Sequence, residues 1–272
     1  MDLNIIVDDI QVGMIMIGLQ KPLNIVISTF DLDLDLFIRE FYDPSNSYNI
    51  WYWYLKDNYN LSNLPKNIKL NHLERNHCKF WYLENKYQSR LIITSANLTH
   101  LMIHECLQSF ISFTSYNNAN INITVKELNR LKQSYNNTIK PFFDIFKVNL
   151  SMHLYKLVEN RIIFNVPNHF NGIERWFINQ SHLLIDCNNI TANYLPNINK
   201  SILIRDSIPP VYNKIVSYYN TDKANKNVKI IHIPFTKVFH YKLYYTDKCL
   251  LVSSNNFSYN HKTNFEMGII LN

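Results

Sequence analysis

Two short segments carry side chains suited to moving a phosphoryl group. The first is His77-Cys78-Lys79, followed by Thr94-Ser95-Ala96-Asn97; the second is His240-Tyr241-Lys242, followed by Ser253-Ser254-Asn255-Asn256. In an extended strand, residues i and i+2 share a face. His77 and Lys79 therefore point one way and Cys78, a packed thiol, the other; the same holds for His240 and Lys242. Each following strand ends by presenting an asparagine beside the pair. A neutral imidazole can attack phosphorus and form a covalent intermediate. A second, protonated imidazole can donate to the leaving oxygen and later activate water. Two lysines and two asparagines can hold the non-bridging oxygens. The lysines supply the positive charge, so this chemistry calls for neither metal nor cofactor. One segment supplies one imidazole, which explains why the motif occurs twice.

The elements that must position these residues form an internal repeat. In the first half, Leu23 to Ser28 reads as a buried strand, followed by a helix through Leu34, Phe37, Ile38 and Phe41 and the turn Asp43-Pro44-Ser45-Asn46. A Tyr/Trp-rich strand from Ile50 to Leu55 comes next, then the strand pair His77 to Leu83 and Leu91 to Ser95. The second half repeats the order: a strand from His182 to Asp186, a short helix from Ile190 to Leu195 and a strand from Ser201 to Arg205. The pair His240 to Tyr245 and Cys249 to Ser253 follows. Asn67-Ile68-Lys69-Leu70 also matches Asn227-Val228-Lys229-Ile230. Between the halves, Val125, Leu128, Leu131, Tyr135 and Ile139 make one helical face ended by Pro141. A second helix is expected from Leu150 to Val158, capped by Asn149. The pattern predicts two similar α/β units, mixed sheets flanked by helices, over residues 1–148 and 149–272. With no Gly/Ser or Pro run between them, they should form one rigid body with one site between them.

The paired pattern resembles that of the phospholipase D superfamily and, because each motif closes on Asn, most closely that of the tyrosyl-DNA phosphodiesterases. The resemblance is strongest from His77 to Phe110, where Leu91-Ile92-Ile93-Thr94-Ser95-Ala96-Asn97-Leu98-Thr99 follows the first motif, and from His240 to Leu271, which ends in Asn264-Phe265-Glu266-Met267-Gly268-Ile269. It implies two phospholipase D-like units related by a pseudo-two-fold axis. It also implies His77 as nucleophile, His240 as general acid and base, and Lys79, Lys242, Asn97 and Asn256 as phosphoryl ligands, with Ser95 and Ser254 as further phosphate contacts. Glu266 would orient His77, and Gln108 would orient His240. The implied activity is metal-independent hydrolysis of 3′-phosphodiester adducts, tyrosyl or peptidyl, on single-stranded or nicked DNA, as in DNA repair, through a phosphohistidine. Another phospholipase D-type nuclease, a lipid phosphodiesterase and a nucleic-acid-binding pseudoenzyme are the alternatives.

Bulk properties narrow the setting. A chain of 272 residues with 47% hydrophobic content can build a sizeable core. No apolar run is long enough to span a bilayer, the start lacks the features of a signal peptide, and four cysteines show no paired spacing. A monomer inside the cell, away from membranes, is expected. Abundant Asn, Ile, Lys, Tyr and Phe with 4 Gly suggest an A+T-rich genome, such as that of an insect virus or intracellular microbe. The net charge of +6 is concentrated between Lys200 and Lys248, where nine basic residues face three acidic ones. That segment suits a nucleic-acid backbone or, equally, a solvated surface. His100 and His104, beside Glu105, have metal-pair spacing but no third ligand, so a helical face explains them better. The run Trp51-Tyr52-Trp53-Tyr54 reads as sheet core and cover or as a base-stacking platform.

Overall fold

The computed structural model describes residues 5–6, 19–56, 59–106, 108–116, 123–187, 190, 194–195, 197–205, 228–233, 240–258 and 262–272. Within them two mixed sheets carry the same strand plan. The first is built from β1 (Ile5–Ile6), β2 (Asn24–Leu32), β3 (Ser47–Leu55), β4 (Ile68–His72), β5 (Phe80–Glu84), β6 (Gln88–Thr94) and β7 (Phe110–Tyr116), in the order β1-β7-β6-β5-β2-β3-β4. The second comprises β8 (Ile162–Val166), β9 (Phe170–Asn171), β10 (His182–Cys187), β11 (Asn199–Arg205), β12 (Val228–Ile233), β13 (Lys242–Tyr245), β14 (Leu250–Ser253) and β15 (Glu266–Leu271). Its order is β12-β11-β10-β13-β14-β15-β8-β9. The parallel trio β2, β3, β4 matches β10, β11, β12, and the antiparallel run β5, β6, β7 matches β13, β14, β15. Even the isolated bridges correspond: Leu32 to Leu98 and Ile190 to Phe257. The repeat read from motif order is therefore a repeat of topology.

Alternation at period two decides the layering. Phe80, Tyr82, Leu91 and Ile93 face a core shared with Leu243, Val252 and Ile269 of the second sheet. Trp81, Leu83 and Ile92 face the opposite way, against α1 (Leu34–Glu40). The helices α2 (Val125–Thr138), α3 (Lys140–Ile145) and α4 (Met152–Val158) close the shared core with Leu131, Phe142, Phe143, Phe146 and Leu154. On the far side, α5 (Gly172–Ile178) covers the second sheet with Ile173 and Phe177. Both sheets are thus covered on both faces, and the shared core presses their inner faces together. Among the described residues no helix is long and apolar enough to cross a membrane.

Several expectations need correction. The strands carrying the motifs begin at Phe80 and Lys242, not at His77 and His240. The first histidine leaves its own sheet because the chain pairs with the other unit: Asn76 bridges Phe265, and the His77 amide donates to the Phe265 carbonyl at 3.0 Å. Ser151, not Asn149, caps α4 by accepting from the Leu154 amide at 3.2 Å. Asn149 instead uses its carbonyl to hold the Tyr82 hydroxyl. Pro141 follows the end of α2 and sits in the first turn of α3, where a missing N–H costs nothing. The short helix expected at Ile190–Leu195 is not formed at its described ends, since Ile190 bridges to Phe257; residues 191–193 lie outside the described residues. Of the basic segment, Lys200 is only 1% exposed, with its ammonium on the Tyr194 and Leu195 carbonyls, and Lys242 is fully buried. These two are not part of a solvated face, whereas Lys229 and Lys248 are exposed. Lys214, Lys223, Lys226 and Lys237 lie outside the described residues.

Candidate active site

The two motifs meet where the inner edges of the sheets adjoin. Lys79 enters from the residue just before β5 and Lys242 from the first residue of β13, both fully buried. Lys79 Nζ lies 3.4 Å from His77 Nε2 and donates to the His77 carbonyl at 3.1 Å. Lys242 Nζ lies 3.3 Å from His240 Nε2 and donates to the His240 carbonyl at 2.7 Å. Cys78 points away into the shared core.

The partners behind each imidazole fix its tautomer, and both come from the other unit. His77 Nδ1 is 2.8 Å from Glu266 Oε1, on a carboxylate only 1% exposed. A carboxylate accepts, so Nδ1 carries hydrogen and Nε2 keeps a lone pair for attack. His240 Nδ1 is 3.0 Å from the Ser95 carbonyl. A carbonyl can only accept, so here too Nδ1 bears hydrogen and Nε2 is the nitrogen that exchanges protons. Gln108 was expected in this post but stands one step behind it. Its Oε1 accepts from Ser95 Oγ at 2.8 Å, and its Nε2 donates to the Met102 carbonyl at 3.1 Å. An amide NH₂ has no acceptor to offer Nδ1–H, whereas the Ser95 carbonyl has.

Ser95 and Ser254 are also not placed as phosphate contacts. Both are fully buried, and each hydroxyl is used twice. Ser95 Oγ donates to Gln108 and accepts from the Ser109 amide at 2.9 Å. Ser254 Oγ donates to Glu266 Oε2 and accepts from the Met267 amide at 3.0 Å. They tie each motif loop to the next strand in matching fashion. The asparagines differ from one another. One Asn97 Nδ2 hydrogen goes to Asp31 Oδ2 at 3.4 Å, leaving the second for an incoming oxygen, while Oδ1 is buried without a protein hydrogen bond. Asn256 Oδ1 accepts from the Cys187 thiol at 3.7 Å, so its amide nitrogen is the end left to donate. Asn255 is fully buried, its Oδ1 taken by Ser253 Oγ, which leaves the half-buried Asn256 as the more accessible member of that pair.

Electrostatics bind the two halves into one site. Burial is the main cause pushing the His77 pKa down; Glu266 opposes it, and Lys79 and Lys242 reinforce it. His240 is pushed well below its ordinary value by burial and then by Lys242, Lys79 and His77. Burial also lowers Lys79 to about 8 and Lys242 to about 7. This cluster of four basic groups is short of negative charge, and a bound anion would restore their protons. Affinity for a bound anion such as inorganic phosphate is therefore expected to fall between about pH 7 and 9, by up to tenfold per unit for each lysine that loses its proton. Isothermal titration across that range measures it. An affinity that stays flat with pH would show that the lysines do not face the anion.

Two neighbours escaped sequence reasoning. Asp31, at the end of β2, holds Asn97, and burial raises its pKa against the pull of Lys79 and Lys56. Phe30 meets the His77 imidazole edge-on at 5.0 Å between centroids. Both follow the predicted strand Leu23 to Ser28, and the extra strand length brings them to the site. Asp31→Asn keeps an acceptor for Asn97 while removing a charge, so binding of inorganic phosphate should tighten by roughly tenfold. Equal affinity of wild type and variant would place Asp31 too far from the anion to matter. His100 and His104 pack ring to ring at 4.8 Å, with His104 Nε2 2.9 Å from Glu40 Oε2, on a π-helical turn over Leu101–Glu105. Among the described residues no group of three or more His, Cys, Asp or Glu is assembled to hold a metal.

No protein-family profile matches the chain, and no curated protein matches it in sequence. Solved structures do match in fold. That of yeast tyrosyl-DNA phosphodiesterase superposes with a TM-score of 0.62 over 98% of this chain and 88% of that one, at 14% identity. Polyphosphate kinase from Porphyromonas gingivalis gives 0.57 over 97% of this chain and 42% of that one, at 12% identity. The likeness is one of fold: a mixed α/β architecture of two similar units, as the sheet topology also shows.

Proposed function

From a fold shared with yeast tyrosyl-DNA phosphodiesterase and two His-Lys-Asn sets brought into one buried site, we propose that the chain hydrolyses 3′-phosphodiester adducts on DNA through a phosphohistidine. The observation that supports this most is the exchange of partners between units: Glu266 of the second unit on His77 of the first, and Ser95 of the first on His240 of the second. Neither half holds a complete site alone. His77 Nε2 attacks phosphorus and the bond to the adduct oxygen breaks, while a proton passes from His240 Nε2 to that oxygen. Neutral His240 then takes a proton from water, the water oxygen bonds to phosphorus, and the P–N bond returns its electrons to His77. The products are a 3′-phosphate and the freed tyrosine or peptide. Lys79 and Lys242 balance the phosphoryl charge throughout, and Asn97 and Asn256 donate to its oxygens.

The test is cleavage of a labelled single-stranded oligonucleotide ending in 3′-phosphotyrosine, in EDTA, beside a 3′-hydroxyl control. Conversion to the 3′-phosphate with the control intact is the expected result. Degradation of both would assign a general nuclease, and inhibition by EDTA would count against a mechanism in which lysines carry the charge. No reaction on either would point to a lipid diester or to binding without turnover.

A further inference from the structure

β2 and β3 run parallel, with Asp31 opposite Tyr54, and their ends bring one aromatic ring, Phe30, beside the first His-Lys pair and two more against that ring. Phe30 lies 5.0 Å from His77, and Lys79 Nζ stands 5.9 Å from the Phe30 ring centre. Trp53 and Tyr54 meet Phe30 edge-on at 5.4 and 5.1 Å, and stack on one another at 5.0 Å with their planes 18° apart. The earlier half of the same aromatic run is core: Trp51 packs on the shared core and Tyr52 on the outer core of the first sheet. Phe30, Trp53 and Tyr54 belong to none of the cores; the first two are half-buried and Tyr54 is 51% exposed. The result is an aromatic surface that starts at the candidate nucleophile and runs out to solvent.

We propose that Phe30, Trp53 and Tyr54 form a stacking subsite for the nucleobase that stays attached to phosphorus during the reaction. The assignment follows from in-line displacement and rests on the proposed function, with His77 as nucleophile. The leaving oxygen lies across phosphorus from His77, toward His240, so the adduct extends away from the shelf. The non-leaving oxygens, one of which carries the retained nucleoside, spread around that axis beside Lys79, where the shelf begins. A π-face accepts any base, so the subsite would add affinity without sequence preference.

Two fluorescent oligonucleotides with a 3′-phosphate test this, one with a normal 3′-terminal nucleotide and one with an abasic residue there. Wild-type protein should bind the abasic form about tenfold to a hundredfold more weakly. Trp53→Leu and Tyr54→Ala together should bind both forms equally, at the weaker affinity, with affinity for inorganic phosphate unchanged; Tyr54→Ala alone, at an exposed position, should lose part of the difference. Equal binding of both forms by wild type, or an undiminished difference in the double variant, would overturn the subsite. So would a penalty that tracks an aromatic against an alkyl leaving group and vanishes in the double variant, since the shelf would then hold the adduct. Binding is read independently of turnover, so an oligonucleotide bound with base dependence yet never cleaved would sink the hydrolase reading and leave the subsite standing. Failure to bind either form would sink both.

Discussion

Replacing His77 should lower kcat by at least about a thousandfold, since the proposed covalent intermediate forms on its Nε2. The choice of replacement matters. His77→Ala leaves the Glu266 carboxylate, almost fully buried, without the donor now 2.8 Å away, and should cost roughly 1–3 kcal/mol of stability in addition. His77→Asn can place an amide N–H toward Glu266 while offering no nucleophile, so it separates chemistry from folding. Single-turnover cleavage and thermal melting of both variants, side by side, measure the two effects. If His77→Asn retained wild-type turnover, the nucleophile would have to be sought elsewhere, with His240 the first candidate.

His240→Asn should act on both steps but unequally. Proton transfer by a placed imidazole contributes about 10²- to 10⁴-fold to a step. A phenolic leaving group with a pKa of about 10 can depart partly unaided. Water gives up its proton far less readily, so the second step should become the slower one and the protein–DNA covalent species should accumulate. A 5′-labelled substrate would then run as a shifted band carrying the mass of the protein, absent with His77→Asn. An adduct more acidic than tyrosine should restore the first step and leave the second impaired. Free 3′-phosphate released at the wild-type rate, with no shifted band, would remove His240 from the mechanism.

The motif pairs were legible because they are local. His-x-Lys on an extended segment fixes which side chains share a face, and the matching order of strands showed that the arrangement occurs twice. Alternation also placed Cys78 in the core. Local reading weakened at element ends. The ladder begins only at Phe80 and Lys242: ahead of the first, the His77 backbone bonds to the opposite unit, and ahead of the second, the His240 side chain does; the cap of α4 went to Ser151 because its hydroxyl reaches an amide that Asn149 does not serve.

Which side chains could perform phosphoryl chemistry, and that two copies were needed, followed from residue types and spacing alone. The tertiary structure decided what stands behind and beside them. Glu266 and Gln108 occupy matching posts behind Ser254 and Ser95, yet only the carboxylate, with two accepting oxygens, reaches both its serine and a histidine. The amide spends its one oxygen on Ser95, and a backbone carbonyl takes over at His240. Asp31 and Phe30 came to the site because β2 runs on past its apolar stretch to Leu32. Such contacts join residues far apart in the chain, and their partners are set by how two sheets pack across a shared core. The periodicity of a strand specifies which face is buried, and nothing in it specifies what that face will meet.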